Sequence, residues 1–192
     1  TKQTADCVAL VLAANKIGAV CMPVSWRLAP PEIEYIVNNG KAKFMMVDAV
    51  FESNFKEVKA GAIISTVLTG KFSSWYLDFK PIENENKPRQ DETALQLYSS
   101  GTTGLPKGVE LTHRNLMAGL VDAVPAAIGY HGAPDVMLNV LPTYHIAGIG
   151  VALLTASKGG MSVLYPDFDP VKVVAAIAEH RITHSFLVPA MI

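Results

Sequence analysis

The chain has 192 residues with 16 Lys+Arg, 17 Asp+Glu and a formal net charge of −1. It is long enough for one or two buried cores and has no cationic excess with which to displace counterions from nucleic acid. Charged residues make up 17% and apolar ones 50%, less polar covering than a free-standing domain carries, so its apolar faces are expected to meet neighbours outside the chain. Thr1 stands where an initiator Met would, and the true start is expected elsewhere. No signal peptide is visible, and the most apolar stretches, around residues 8–14 and 146–156, are too short to span a membrane. Cys7 and Cys21 lie in apolar surroundings without ligand spacing, which reads as buried reduced thiols and a cytoplasmic setting.

Helix and strand patterns alternate. Residues 5–17 predict a helix with Val8, Val11 and Leu12 on one face, stopped by Gly18, and residues 19–24 a short buried strand closed by proline. A helix opens at Pro30-Pro31-Glu32, places Ile33, Ile36 and Val37 on a face and ends at Asn39-Gly40; residues 43–47 and 62–68 read as strands. Residues 69–92 mix Trp75, Tyr76 and Phe79 with prolines and charge, the composition of a long surface connection. Residues 94–98 and 109–112 are strands on either side of a Gly-rich segment, and Thr112 caps a helix carrying Leu116, Leu120 and Val124, with Pro125 near its end. Strands over 136–141, 161–165 and 183–188 enclose an apolar helix over 146–157 and one opened by Asp169-Pro170, with Val171, Val174, Ala175 and Ala178 inward. This alternation, with uniformly apolar strands, predicts an α/β fold: a mostly parallel sheet with helices on both faces.

The chemistry concentrates in Tyr98-Ser99-Ser100-Gly101-Thr102-Thr103-Gly104-Leu105-Pro106-Lys107-Gly108. Hydroxyl donors, glycines that let backbone N–H groups approach a ligand, and one lysine are the parts of a polyphosphate cradle. The spacing G-x-x-x-x-G-K-[ST] is absent, and a strand follows the lysine where a P-loop needs a helix. Composition alone favours an exposed, flexible Ser/Thr/Gly hairpin turn. Leu141-Pro142-Thr143-Tyr144-His145 forms a second site-like element between a strand and a helix. His113, His131, His180 and His184 have no ligand spacing, and the charge run over residues 83–92 reads as a solvated loop.

The ordered string resembles, position by position, the phosphate-binding signature of the adenylate-forming superfamily: acyl-CoA and aryl-CoA ligases, adenylation domains of peptide synthetases and firefly-type luciferases. Val109-Glu110-Leu111-Thr112-His113-Arg114-Asn115-Leu116, the segments 16–24 and 27–33, Phe168-Asp169-Pro170 and Phe186-Leu187-Val188-Pro189 are similar to further family segments, so the resemblance covers nearly all of the chain except 69–92. Ala29 departs from it where relatives carry a capping Thr or Ser, and Thr143 is unusual at its position.

The resemblance implies an enzyme, most like fatty-acyl-CoA ligases, that joins a carboxylic acid to the α-phosphate of Mg-ATP and then passes the acyl group to coenzyme A. It implies that Ser99, Ser100, Gly101, Thr102, Thr103 and Gly104 hold the ATP phosphates, with Thr102 or Thr103 reaching Mg2+ through ATP. Lys107 would offset charge on the leaving pyrophosphate. Tyr144 and His145 would meet the carboxylate or α-phosphate, and Ala147, Gly148, Ile149, Gly150 and Val151 would line an acyl pocket suited to a fatty or other hydrophobic acid. His145 stands where peptide-synthetase domains tend to carry Asp, which argues against an amino acid substrate. The chain is then expected to be part of a large N-terminal domain, with 1–68 a first β/α portion, 69–92 a surface connection and 93–192 the nucleotide-loop and acyl-pocket portion. The ribose and Mg-binding acids, the hinge and a C-terminal domain are expected outside it, so that the chain alone is inactive. A noncatalytic nucleotide-binding module, an aryl-CoA ligase and a luciferase-like enzyme share these motifs; partners are the acid, ATP and CoA, without nucleic acid or a transmembrane segment, and a homo-oligomer stays open.

Overall fold

The computed structural model describes residues 2–59, 61, 65–68, 72–83, 87–101 and 104–192. Helix α1 (Ala5–Lys16) starts where Thr4 Oγ1 accepts the Cys7 N–H at 3.3 Å, and it buries Cys7 and Val11. Val8 is half-buried and Leu12 is exposed, so the inward face is narrower than expected. The stretch over 19–24 pairs at a single residue. Cys21 N–H donates to the Ala94 carbonyl at 3.0 Å and Cys21 C=O accepts from Gln96 N–H at 2.9 Å, a parallel bridge to Leu95. Pro23 has no N–H with which to extend the ladder. Helix α2 (Pro30–Asn39) opens on proline, and its own Glu32 carboxylate accepts the Ala29 N–H at 2.8 Å, so one first-turn donor is satisfied although Ala29 offers no cap. Ile33, Ile36 and Val37 are its buried face, as the spacing predicts.

Strands β1 (Phe44–Val47) and β2 (Ser65–Leu68) pair in parallel, with the short helix α3 (Glu52–Lys56) between them; residues 62–64, expected at the start of β2, lie outside the described residues. In the 69–92 connection the single-turn helix α4 (Phe72–Trp75) sets the Trp75 ring 5.4 Å from that of Phe44, so Trp75 covers one edge of β1. Strands β3 (Thr93–Ser99) and β4 (Lys107–Thr112) form an antiparallel hairpin, whereas the other strand pairs among the described residues are parallel. Thr112 accepts the Asn115 N–H at 3.2 Å and starts α5 (His113–Leu116). The helix then widens into a π-helical stretch, Met117–Ala123, and resumes as α6 (Val124–Ile128) before a left-handed Gly129. Pro125 lies in the last turn of this longer helical run, near its end as expected. Proline lacks the N–H of a regular turn and its ring crowds the turn before it, and the wider upstream turn accommodates it.

The second half is a three-stranded parallel sheet in the order β6-β5-β7. It comprises β5 (Val136–Asn139), helix α7 (Ile146–Ser157), β6 (Met161–Leu164), helix α8 (Pro170–Glu179) and β7 (His184–Ser185). Strand β7 is shorter than the expected 183–188 because Phe186 and Leu187 leave the ladder for two different core clusters. Asp169 Oδ1 caps α8 by accepting the N–H groups of Val171 and Lys172 at 3.0 and 3.2 Å. Helix α8 buries Val173 and Ala176, whereas Val171, Val174, Ala175 and Ala178, expected inward, face out. One core cluster joins Val11 of α1, Leu95 of β3, and Ile149 and Leu153 of α7. It locks the hairpin to the parallel sheet's helix layer. Among the described residues no helix is long and apolar enough to cross a membrane.

Candidate functional site

The hairpin register places Ser99 opposite Lys107 and Tyr98 opposite Gly108. In the loop between the strands, Gly104 N–H donates to the Gly101 carbonyl at 3.3 Å, and Gly104 adopts φ +97°, a conformation that glycine reaches without steric cost. At Gly101 a Cβ would run into the Leu105 carbonyl oxygen and lie 3.5 Å from both Cγ and Cε of Lys107. The lysine stem therefore crosses bare backbone at Gly101. Ser99, Ser100, Gly104 and Lys107 are exposed, and among the described residues Lys107 makes no ion pair. Thr102 and Thr103 lie outside the described residues. Exposed hydroxyls, glycine backbone and one ammonium, with no carboxylate anywhere in residues 99–109, form a donor set that fits an anion such as a polyphosphate.

The hairpin has a fixed base. Gln96 and Tyr98 fold over Gly108, where a Cβ would stand 2.6 Å from Gln96 Nε2 and 3.2 Å from Tyr98 Cζ. The Tyr98 hydroxyl donates to Asn39 Oδ1 at 2.5 Å and so ties β3 to the end of α2. Loss of solvent around Tyr98, with Tyr35 nearby, pushes its pKa upward and keeps it the neutral donor this bond requires.

The second element is the turn from β5 into α7. His145 is the N-terminal boundary residue of α7 in extended conformation, exposed, with its ring centroid 4.8 Å from that of half-buried Tyr144. Its backbone is held on both sides: His145 N–H donates to the Pro142 carbonyl and His145 C=O accepts from Ile149 N–H, both at 3.1 Å. Gly148 is buried, and a Cβ there would collide with the carbonyl oxygens of Leu141 and Pro142. Its missing side chain is what lets the turn close onto the helix. Ile149, expected to line an acyl pocket, is 1% exposed and packs with Val11, Leu95 and Leu153. It supports the turn from the core side. Gly150 and Val151 are likewise buried in α7, and Ala147 is exposed.

Two positioning residues were not singled out from sequence. Asn139 is buried at the end of β5; its Nδ2 donates to the Gly148 carbonyl at 2.9 Å and its Oδ1 accepts from Leu141 N–H at 3.2 Å, bracing both ends of the Tyr144–His145 turn. Gln3 Nε2 donates to the Asn139 carbonyl at 2.9 Å and also to that of Tyr165. The available signal was one amide inside the apolar run 136–141. Beyond the ends of β5 and β6, a cavity of about 80 Å³ is lined by Tyr144, Thr143, Trp26, Arg27 and Phe168, among others. Among the described residues no cluster of His, Cys, Asp and Glu suits a metal ion.

A family model described as AMP-binding enzyme matches residues 1–192. A fatty acid–[acyl-carrier-protein] ligase of Streptomyces coeruleorubidus is 32% identical over 191 residues, an alignment covering 95% of this chain and 36% of that protein. A feruloyl-CoA synthase of Amycolatopsis sp. is 30% identical over 183 residues, covering 94% and 36%. The chain thus spans about a third of the length of these relatives. Among solved structures, the o-succinylbenzoate coenzyme A synthetase of Bacillus subtilis in complex with AMP superposes with a TM-score of 0.81 at 26% identity, over 99% of this chain and 48% of that one. The inhibitor-bound N-terminal domain of FACL13 from Mycobacterium tuberculosis gives 0.80 at 26% identity, over 95% and 46%.

Proposed function

Because the chain belongs to the AMP-binding enzyme family, we propose that it supplies the nucleotide loop and part of the acyl site of an ATP-dependent carboxylic acid–CoA ligase acting on a fatty acid. In this reading residues 1–68 are a first β/α portion and 93–192 carry the loop and the acyl-site turn. A carboxylate oxygen attacks the α-phosphorus of ATP, the bond to the β-phosphate breaks and pyrophosphate leaves. The thiol of CoA, losing its proton, then attacks the acyl carbon and AMP departs. ATP brings Mg2+ with it, and Thr102 or Thr103 is the hydroxyl we assign to that ion.

The observation that carries this reading is the seat of Lys107. Its stem crosses Gly101, so the ammonium projects beside the loop where charge builds on the leaving pyrophosphate, and a charge held ready there lowers the barrier without reorganisation. Ser99, Ser100, Gly101, Thr102, Thr103 and Gly104 hold the β- and γ-phosphates. His145 and Tyr144 meet the carboxylate from a turn that Asn139 and Gly148 keep fixed. The names of the relatives span fatty and aromatic acids, and exposed, apolar Ile146 and Ala147 beside His145 support an alkyl chain. A cytoplasmic setting rests on the low cysteine content, two in the chain.

The test joins residues 1–192 to the downstream part of a curated relative such as the feruloyl-CoA synthase. Carboxylate-dependent ATP–pyrophosphate exchange with AMP as product is expected, and Lys107→Ala should slow it by roughly a hundredfold or more. Release of ADP, exchange that ignores the acid, or undiminished rates in the variant would each overturn the assignment.

A further inference from the structure

Helix α8 seats Val173 and Ala176 on the β6-β5-β7 sheet and leaves an apolar face outside. Val171 is 77% exposed, Val174 68% and Ile177 49%, and Ala175 and Ala178 are exposed as well. At about 100° per residue, Val171, Val174, Ala175 and Ala178 form one stripe roughly 100° wide, opposite the buried face. No charged side chain interrupts it.

The charges lie beside the stripe and in an order that matters. Lys172 and Glu179 are two turns apart on the same flank. The acidic cap Asp169 precedes the helix and Arg181 follows it. Lys172 leans toward Asp169 at 3.9 Å, with both side chains well exposed, a pair too weak to hold it.

We infer that this face binds the same face of a second copy of the chain, with the two α8 helices antiparallel about a two-fold axis near residues 175 and 176. Such an axis leaves each flank on its own side. It therefore brings Lys172 opposite Glu179 of the second copy and Glu179 opposite Lys172 of the second copy, while Asp169 approaches the end that carries Arg181. Val174 then meets Ile177 of the second copy, and the small Ala175 and Ala178 let the backbones come close. Opposed helix dipoles favour the same arrangement. A helix built to lie on a membrane carries a strongly basic polar face, whereas here one flank holds one charge of each sign. That pattern is complementary to itself, the requirement of an isologous contact. A ten-residue helix is about 15 Å long and covers far less than the roughly 800 Å² per partner of a standard interface, so the dimer is weak and reversible. This inference does not depend on the catalytic reading.

Sedimentation equilibrium of the 192-residue chain from low micromolar to millimolar concentration is the test. The weight-average mass should climb toward that of a dimer. Lys172→Glu and Glu179→Lys each break both cross-pairs at once and should weaken association roughly tenfold, while the double reversal should restore it. These side chains are exposed, and circular dichroism confirms that each variant is folded. A chain that stays monomeric throughout, single reversals without effect, a double reversal that fails to recover, or binding to anionic vesicles in place of self-association would overturn the proposal.

Discussion

At Gly101 the volume of a methyl group is already taken by the Leu105 carbonyl oxygen, and the Lys107 stem lies just beyond it. Gly101→Ala must open the loop or push the lysine aside, and either shift displaces the ammonium by about an ångström, enough to cost roughly a hundredfold in rate. The described residues of the loop are exposed or half-buried and lie outside every core cluster, so the melting temperature should barely move. Exchange assays and calorimetry on the same joined protein check the two halves of this prediction. The Gly-rich string stands out in sequence because its chemistry is local: glycines, hydroxyls and lysine stand within eleven residues. The bracing of His145 does not, because Gln3 reaches a carbonyl 136 residues away, and an amide that bonds backbone leaves no pattern in side-chain order.

The elements carry the next distinction, between where a helix runs and which way it faces. In α8 the caps Asp169 and Pro170 mark the start, and that limit was readable. Its face was not, since Val, Ala and Ile occupy every position from 173 to 178, and the charges on one flank leave more than one apolar side that a sheet could choose. The π-helical stretch was hidden for a similar reason: Pro125 signals a break, and the sequence does not say whether the chain stops or widens. Helix α7 shows the constraint most sharply at Gly148. Gly148→Ala drives a Cβ into the carbonyls of Leu141 and Pro142, so overpacking should destabilise the chain by about 1–3 kcal/mol or more. Urea unfolding should show a lower midpoint, and a midpoint equal to wild type would mean that the turn is free to back away.

For the molecule as a whole, stability should depend on acid through a cluster that binds three elements together. The Asp135 carboxylate accepts the His131 N–H at 2.8 Å, which holds its pKa below the usual carboxylate value, with His184 and the Thr183 hydroxyl adding to the shift and partial burial opposing it. Thr183 Oγ1 in turn accepts the N–H of Val136 at 3.0 Å, and His184 Nε2 lies 3.3 Å from the Ile128 carbonyl, so β5, β7 and the end of α6 meet here. A carboxylate bound more tightly when ionised stabilises the fold above its ordinary pKa of about 3.9 and loses that contribution as pH falls through the lowered value. Thermal melts from neutral to acid pH should therefore fall more steeply below about pH 4 in the wild-type chain than in Asp135→Asn; parallel curves would remove Asp135 from the account. Strand β4 adds a consequence at this scale. Beyond its pairing with β3 it meets no further strand among the described residues, and residues 107–110 are exposed, an open edge of the kind that templates aggregation. Lys107 stands at the head of that edge, so the ammonium proposed to meet the phosphates would also set a charge where a further strand would have to pair.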